Sequence, residues 1–257
     1  MGKYDSSLTR VQPIFGTLLE RDPTGASWIS KILSSAPAGK NIGAAASREP
    51  GTFTEHVQSR FEFPAPPSRR FLEWLIRHPE RMTWPRKKGQ EVTFRRSTQD
   101  RREELFGRHG EGESEAARAA ALQALALAGA AGSAGRWWAF EGFTKVDFCI
   151  QTETAIIFVE GKRTEALTKS TDWFPKRNQL VRNLEVVGEL AGGRVAGVIL
   201  GVEEPLAELD DITVTDSTPH LGQGERQALR KLYLGQVRWR DLCATCDIDF
   251  ETLPDTV

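Results

Sequence analysis

The chain predicts an α/β protein with a mixed central sheet flanked by helices. Three features carry that expectation. Ala155-Ile156-Ile157-Phe158-Val159 and the stretch from Arg194 to Val202 are continuous apolar runs, the texture of strands buried on both faces. Between them, Pro175 to Ala191 reads as an amphipathic helix with Leu180, Leu184, Val187 and Ala191 on one stripe. A helical stretch and two more β-prone stretches precede them, so the order is helix, three strands, helix, strand.

Taken in chain order, the first third is irregular. Ser34 to Gly51 is rich in Ala, Gly, Ser and Pro and predicts a long loop or linker. Phe61 to Pro67 holds three prolines and is extended. Ser68 then N-caps a helix carrying Phe71, Leu72, Trp74, Leu75 and Ile76, which Pro79 ends. Arg101 to Ala131 is helical in composition, and Gly129 to Gly135 breaks it. Arg136 to Phe143 and Lys145 to Ile150 are the first two strands, aromatic and β-branched. After the last apolar strand, residues 203–216 hold six acids and no base. Two short helices follow, near Glu225–Leu234 and Trp239–Cys246, separated by Gly235. They read as a helical cap over the sheet in preference to a helix-turn-helix. The expected organisation is an irregular and helical N-terminal region (1–100), an α/β core (101–203) and an acidic loop with a helical C-terminal cap (204–257).

Composition bounds the function. The 257 residues are 39% apolar and 27% charged, enough for a core and a solvated surface. With 34 Lys plus Arg against 35 Asp plus Glu, the net charge is −1, which excludes a chain that coats nucleic acid indiscriminately. The balance is uneven, however: residues 60–102 hold twelve basic and five acidic residues. That block is either a solvated surface or a phosphate-contacting patch. Three cysteines exclude a disulfide scaffold, and Cys243-x-x-Cys246 lacks the two further ligands of a zinc site, so buried thiols are expected. Reduced thiols and the lack of an 18-residue apolar run or a basic-apolar signal peptide suggest a cytoplasmic protein with no membrane partner. A homodimer or a protein partner stays open.

Several motifs fail. Gly222-Gln223-Gly224 lacks the third glycine and preceding strand of a dinucleotide site, Gly39-Lys40 lacks the spacing of a P-loop, and Ser133 lacks a nucleophile elbow. What remains is Val146-Asp147 followed by Val159-Glu160-Gly161-Lys162. Residues i and i+2 of a strand share a face, roughly 7 Å apart. Ile156, Phe158, Glu160 and Lys162 therefore form one row that turns abruptly from apolar to charged. Asp147, on the preceding strand, can be brought beside Glu160 by a hairpin. Two carboxylates with hard oxygen donors and no histidine suit Mg²⁺ or Mn²⁺. A neighbouring lysine can orient a water or neutralise charge on a phosphate. A structural Glu160–Lys162 or Asp147–Lys162 ion pair is the competing reading. Residues 162–182 add six basic residues against two acids, including Arg163, Lys169, Lys176, Arg177 and Arg182. Gln179, Arg182 and Asn183 share a helix face away from the apolar stripe, as a phosphate-backbone contact would use. Trp173 and Phe174 read as packing residues rather than base-stacking ones.

On Val146-Asp147, Glu160-Gly161-Lys162 and the Gln-bearing helix from Arg177 to Asn183, the chain resembles the PD-(D/E)XK nuclease superfamily, with its restriction-endonuclease-like fold. It is similar to uncharacterised bacterial members with an E-G-K-R-T-E stretch, here Glu160 to Glu165. The resemblance implies divalent-metal-dependent hydrolysis of nucleic acid phosphodiesters, DNA rather than RNA. Asp147, Glu160 and the Gly161 carbonyl would hold the metal, and Lys162 would position the attacking water. Arg163, Arg177, Gln179 and Arg182 would contact nucleic acid. The family's auxiliary acid corresponds to Glu115 or to Glu141. Val146 stands where the family's motif has proline, and Asn183 where some relatives have an aromatic residue. A non-enzymatic nucleic-acid-binding or assembly module of the same fold is the alternative.

Overall fold

A computed structural model describes residues 5–40, 58–82, 115–127, 141, 143–169, 171 and 174–256. The sheet among these residues has five strands, β1 (Gln58–Ala65), β2 (Thr144–Gln151), β3 (Ala155–Gly161), β4 (Val195–Val202) and β5 (Tyr233–Arg238), in that spatial order. β1, β2 and β3 form an antiparallel meander, while β4 and β5 run parallel to β3, so the sheet is mixed. Helices cover both faces.

On one face lie α1 (Gln12–Arg21), entered without a break through a π-helical turn at Ser7–Val11, α2 (Ile29–Ser35) and α8 (Trp239–Thr245). Val11, Phe15, Trp28 and Ile32 pack there on Ile157, Val159, Ile199 and Trp239. The other face is covered by α5 (Gln179–Leu190), whose Leu180, Val181, Leu184 and Val187 meet Ile156, Phe158 and Val198. β3 is thus buried along its whole length, with alternate residues serving opposite layers. A smaller cluster joins α3 (Arg69–Arg77), capped by Ser68, to α4 (Glu115–Leu127) through Phe71, Leu75, Ala121 and Leu125. Phe174 packs into it, as its aromatic character predicts. α6 (Asp211–Ser217) and α7 (Gln223–Arg230) complete the α5 side. Cys149, Cys243 and Cys246 are free and buried, and among the described residues no helix is long and apolar enough to cross a membrane.

The α/β class, the two central strands, the α5 stripe and the Ser68 cap agree with expectation. Two expectations are refined, and a third falls largely outside the described residues. Of the region expected to be irregular and helical, Ser7–Arg21 and Ile29–Ser35 are helical and, together with α8, cover one face of the sheet. The edge strand of the meander is Gln58–Ala65, whereas the strand expected at 136–143 lies largely outside the described residues. The segment expected as a purely helical cap contributes β5, with Gly235 inside a strand and not between two helices. There β5 carries an extra residue against β4, since Val198 faces Tyr233 and Ile199 faces Gly235. Gly235 has φ 105° and packs on Pro37, so any Cβ would be strained and crowded at 2.7 Å. The sheet therefore draws strands from 1–100, 101–203 and 204–257 alike. The basic runs at 86–88, 95–96 and 101–102, and Trp173, lie outside the described residues.

Candidate active site

The hairpin register brings the candidate acids together. The β2–β3 ladder ends at Phe148↔Val159, so Asp147 and Glu160 come next on adjacent strands. There a side chain replaces the backbone acceptor: the Gly161 N–H donates to Asp147 Oδ2 at 2.7 Å. On its other edge β3 continues against β4 to Gly161↔Gly201, and the Lys162 N–H donates to the Gly201 carbonyl at 2.8 Å. The strand end is thus held on both sides.

Glu160 is 2% exposed, and its burial is matched by donors. Lys162 Nζ donates to Oε1 at 2.7 Å, Gln179 Nε2 to Oε1 at 2.6 Å and Asn183 Nδ2 to Oε2 at 3.0 Å. These are charge-assisted bonds from three directions. The α5 cap arranges two of them. Asn178 accepts the Leu180 and Val181 N–H groups, which starts the helix at Gln179 and puts Gln179 and Asn183 one turn apart facing the strand end. Asn183 spends its amide on Glu160 while its buried Oδ1 has no hydrogen-bond partner among the described residues. An orphaned acceptor of that kind costs about 1–3 kcal/mol.

The Asp147 carboxyl is pushed up to about 8, first by burial and then by the Glu160 carboxylate, against the opposing pull of the Gly161 N–H and Lys162. Burial works against the Lys162 ammonium, but the carboxylates of Glu160 and Asp147 outweigh it and hold that amine above its usual range. The site therefore keeps an ammonium, paired with Glu160, beside a carboxyl that resists ionising.

These groups line an open cavity of about 430 Å³ together with Asp5, Ser6, Ser7, Glu62, Lys145, Thr164, Glu165 and Gln179. Its wall carries five carboxyl groups (Asp5, Glu62, Asp147, Glu160, Glu165) against two lysines (Lys145, Lys162). Among the described residues no three His, Cys, Asp or Glu side chains already converge as a ligand set. The donors at hand are two carboxylates and a main-chain carbonyl, all hard oxygen. Asp147 Oδ1 accepts no hydrogen bond from a described residue. The Gly161 carbonyl accepts one, from Ser6 Oγ at 2.9 Å, and a carbonyl oxygen has a second lone pair.

The N-terminal and C-terminal segments brace this corner. Trp239 Nε1 donates to the Lys162 carbonyl at 3.0 Å, and its ring lies against Gly201, where a Cβ would sit 2.1 Å from it. Arg10, 2% exposed, makes a bidentate pair with Glu203 at 2.9 and 3.0 Å and also reaches the Pro254 carbonyl at 2.8 Å. Glu165 accepts from the N–H groups of Ser6, Arg163 and Thr164, and although burial opposes it, that hydrogen bonding holds its carboxyl below the usual range.

Asp147, Glu160, Gly161 and Lys162 thus meet, but the three arginines expected to contact nucleic acid do not join them. None of Arg163, Arg177 and Arg182 lines the cavity. Arg177 is fully buried: it pairs with Glu141 at 2.8 and 3.1 Å, with Glu185 and with the Ser217 carbonyl at 3.0 Å, and lies 3.7 Å over the Phe71 ring. Arg182 turns toward Glu141 at 3.7 Å, and Arg163 is tied to Asp255 at 2.6 and 3.0 Å. Gln179 does line the cavity, yet its amide serves Glu160. Neither candidate auxiliary acid is present: Glu115 is exposed on α4, and Glu141 is buried with Arg177. Glu62, Ser6 and Glu165 take places in the site that sequence reasoning did not give them. For Glu62 no signal existed, because an acid between Phe61 and Phe63 reads as the solvent side of a half-buried strand.

Compared with protein-family models, with curated proteins and with solved structures, the chain gives no match.

Proposed function

We propose that this chain is a divalent-metal-dependent nuclease that hydrolyses nucleic acid phosphodiester bonds, DNA rather than RNA. The observation that carries the reading is Asp147, Glu160 and Lys162 meeting at one strand end, in a cavity walled by oxygen donors. The donor set fits Mg²⁺ or Mn²⁺, which Asp147, Glu160 and the Gly161 carbonyl would hold. The raised Asp147 supports the fit, since a carboxyl kept protonated by burial and a like charge is one that a dication would ionise. When bound, such an ion polarises a phosphoryl oxygen and lowers the pKa of a water.

The protein's own groups then have distinct tasks. Lys162 keeps its proton and offers a buried positive charge to the attacking water or to the phosphate. Gln179 and Asn183 fix the Glu160 carboxylate so that it does not reorganise during the reaction. Ser6 and Trp239 hold the Gly161 and Lys162 carbonyls and thereby the strand end. An excess of carboxyl groups over lysines repels a polyanion, so the cavity favours a cation-dependent activity over a plain binding module.

The test is cleavage of supercoiled plasmid, single-stranded DNA and RNA, with Mg²⁺ or Mn²⁺ and with a chelator. Metal-dependent cleavage that is lost in folded Glu160→Gln and Lys162→Met variants is the expected result. A folded wild-type protein that cuts none of these substrates with Mn²⁺ would remove the reading, and metal-indifferent binding would favour the module.

A further inference from the structure

We propose that Glu62 is a third carboxylate for the cation of this site, held in reserve by Lys145. The inference rests on the metal-dependent reading above and extends it to a residue from the N-terminal third of the chain. β1 and β2 pair regularly at Phe61↔Phe148 and Phe63↔Val146, but Glu62 and Asp147 between them drop out of the ladder. At that point Glu62 has φ 49°, the left-handed region that side chains other than glycine and asparagine rarely adopt. The irregularity brings Glu62 to the wall of the cavity that holds Asp147, Glu160 and Lys162.

Both oxygens of Glu62 are engaged by partners that a cation can replace. Oε1 accepts from Ser7 Oγ at 3.2 Å, a long bond, and Oε2 faces Lys145 Nζ at 3.1 Å. The Lys145 side chain is 72% exposed, so its ammonium loses little by returning to water. A dication competes with a single ammonium for the same carboxylate and brings twice the charge. Lys145 therefore opposes cation entry, and Glu62 assists it. The two members of one ion pair acquire opposite effects on affinity, which a bridge that only supported the fold would not give.

The experiment is Mn²⁺ titration of the full chain without nucleic acid, by calorimetry and by the electron paramagnetic resonance of bound Mn²⁺. Glu62→Gln is expected to weaken binding roughly tenfold, the scale on which groups around a metal act. Lys145→Met is expected to tighten it by roughly fivefold, the worth of one nearby exposed charge. Glu62→Gly relieves the left-handed backbone, so it is expected to melt no lower than Glu62→Gln while binding Mn²⁺ as weakly. The proposal is overturned if Glu62→Gln stays within about twofold of wild type, or if Glu62→Gln and Lys145→Met weaken binding alike. Loss of binding in Asp147→Asn with none in Glu62→Gln leaves the site standing and removes Glu62 from it. A wild-type chain that binds no Mn²⁺ removes both.

Discussion

Replacing Arg177 by methionine separates a structural arginine from a nucleic-acid contact. The guanidinium is completely buried, and its donors are spent on Glu141, Glu185 and the Ser217 carbonyl. Burial opposes its charge, but Glu141 and Glu185 hold the guanidinium well above its already high range. Methionine has similar length and lacks the charge, so the variant leaves Glu141 and Glu185 buried, with the Arg182 guanidinium 3.7 Å from Glu141 and the His220 ring 2.6 Å from Glu185. Breaking a buried ion pair from one side costs about 3–5 kcal/mol. In a protein of this size each kcal/mol lowers Tm by about 2–4 °C, so the expected loss is about 6–20 °C. Lysine at the same position is expected to rescue little, because it cannot reproduce the two-pronged contact with Glu141 or the stacking on Phe71. The assays are urea and thermal denaturation, with DNA binding by fluorescence anisotropy on protein verified as folded. An Arg177→Met variant that melts within about 1 kcal/mol of wild type but binds DNA far more weakly would refute the burial argument and restore the arginine to the interface.

Two other expectations concern the strand end itself. Folded Asp147 keeps its proton up to about pH 8, while an unfolded aspartate releases it near 3.8, so the native state binds more protons between those values. Its contribution to stability is full below that window, falls as pH rises through it by at most about 1.4 kcal/mol per unit, and levels off above. Urea midpoints in chelator from pH 5 to 9 should show that decline in wild type and a flatter profile in Asp147→Asn; equal slopes would mean that Asp147 ionises normally. Gly161→Ala would put a Cβ 2.7 Å from Val11 Cγ2, 3.2 Å from Trp239 Cζ2 and 3.3 Å from Asp147 Oδ2. Overpacking of that kind costs about 1–3 kcal/mol, and the variant should also weaken Mn²⁺ binding, because Asp147 must move. Unchanged stability by denaturation would show that the α1 side of the strand yields more easily than its packing implies.

The legible part of this protein is the part whose information is local. The strands Ala155–Gly161 and Val195–Val202 announce themselves because Ala155 to Val159 and Val195 to Val202 are unbroken runs without a polar side chain, and strand geometry alone places Glu160 and Lys162 on one row. The thirteen residues from Asp147 to Glu160 suffice for a hairpin, and the register delivers it. Ser68 caps its helix because the bond it makes, to the Phe71 N–H, lies three residues away.

What depended on distant partners was not legible. Positive charge around a strand end looks like a phosphate surface until Arg177 finds Glu141, 36 residues away, and Arg10 finds Glu203, 193 residues away. Gln179 and Asn183 showed their shared face but not that the face turns to Glu160. Glu62 offered no pattern at all, because its place follows from which segment pairs with β2 and from where that ladder breaks. Composition and periodicity state which face a residue occupies. Only the assembled sheet, packed between helices on both faces, decides what that face meets.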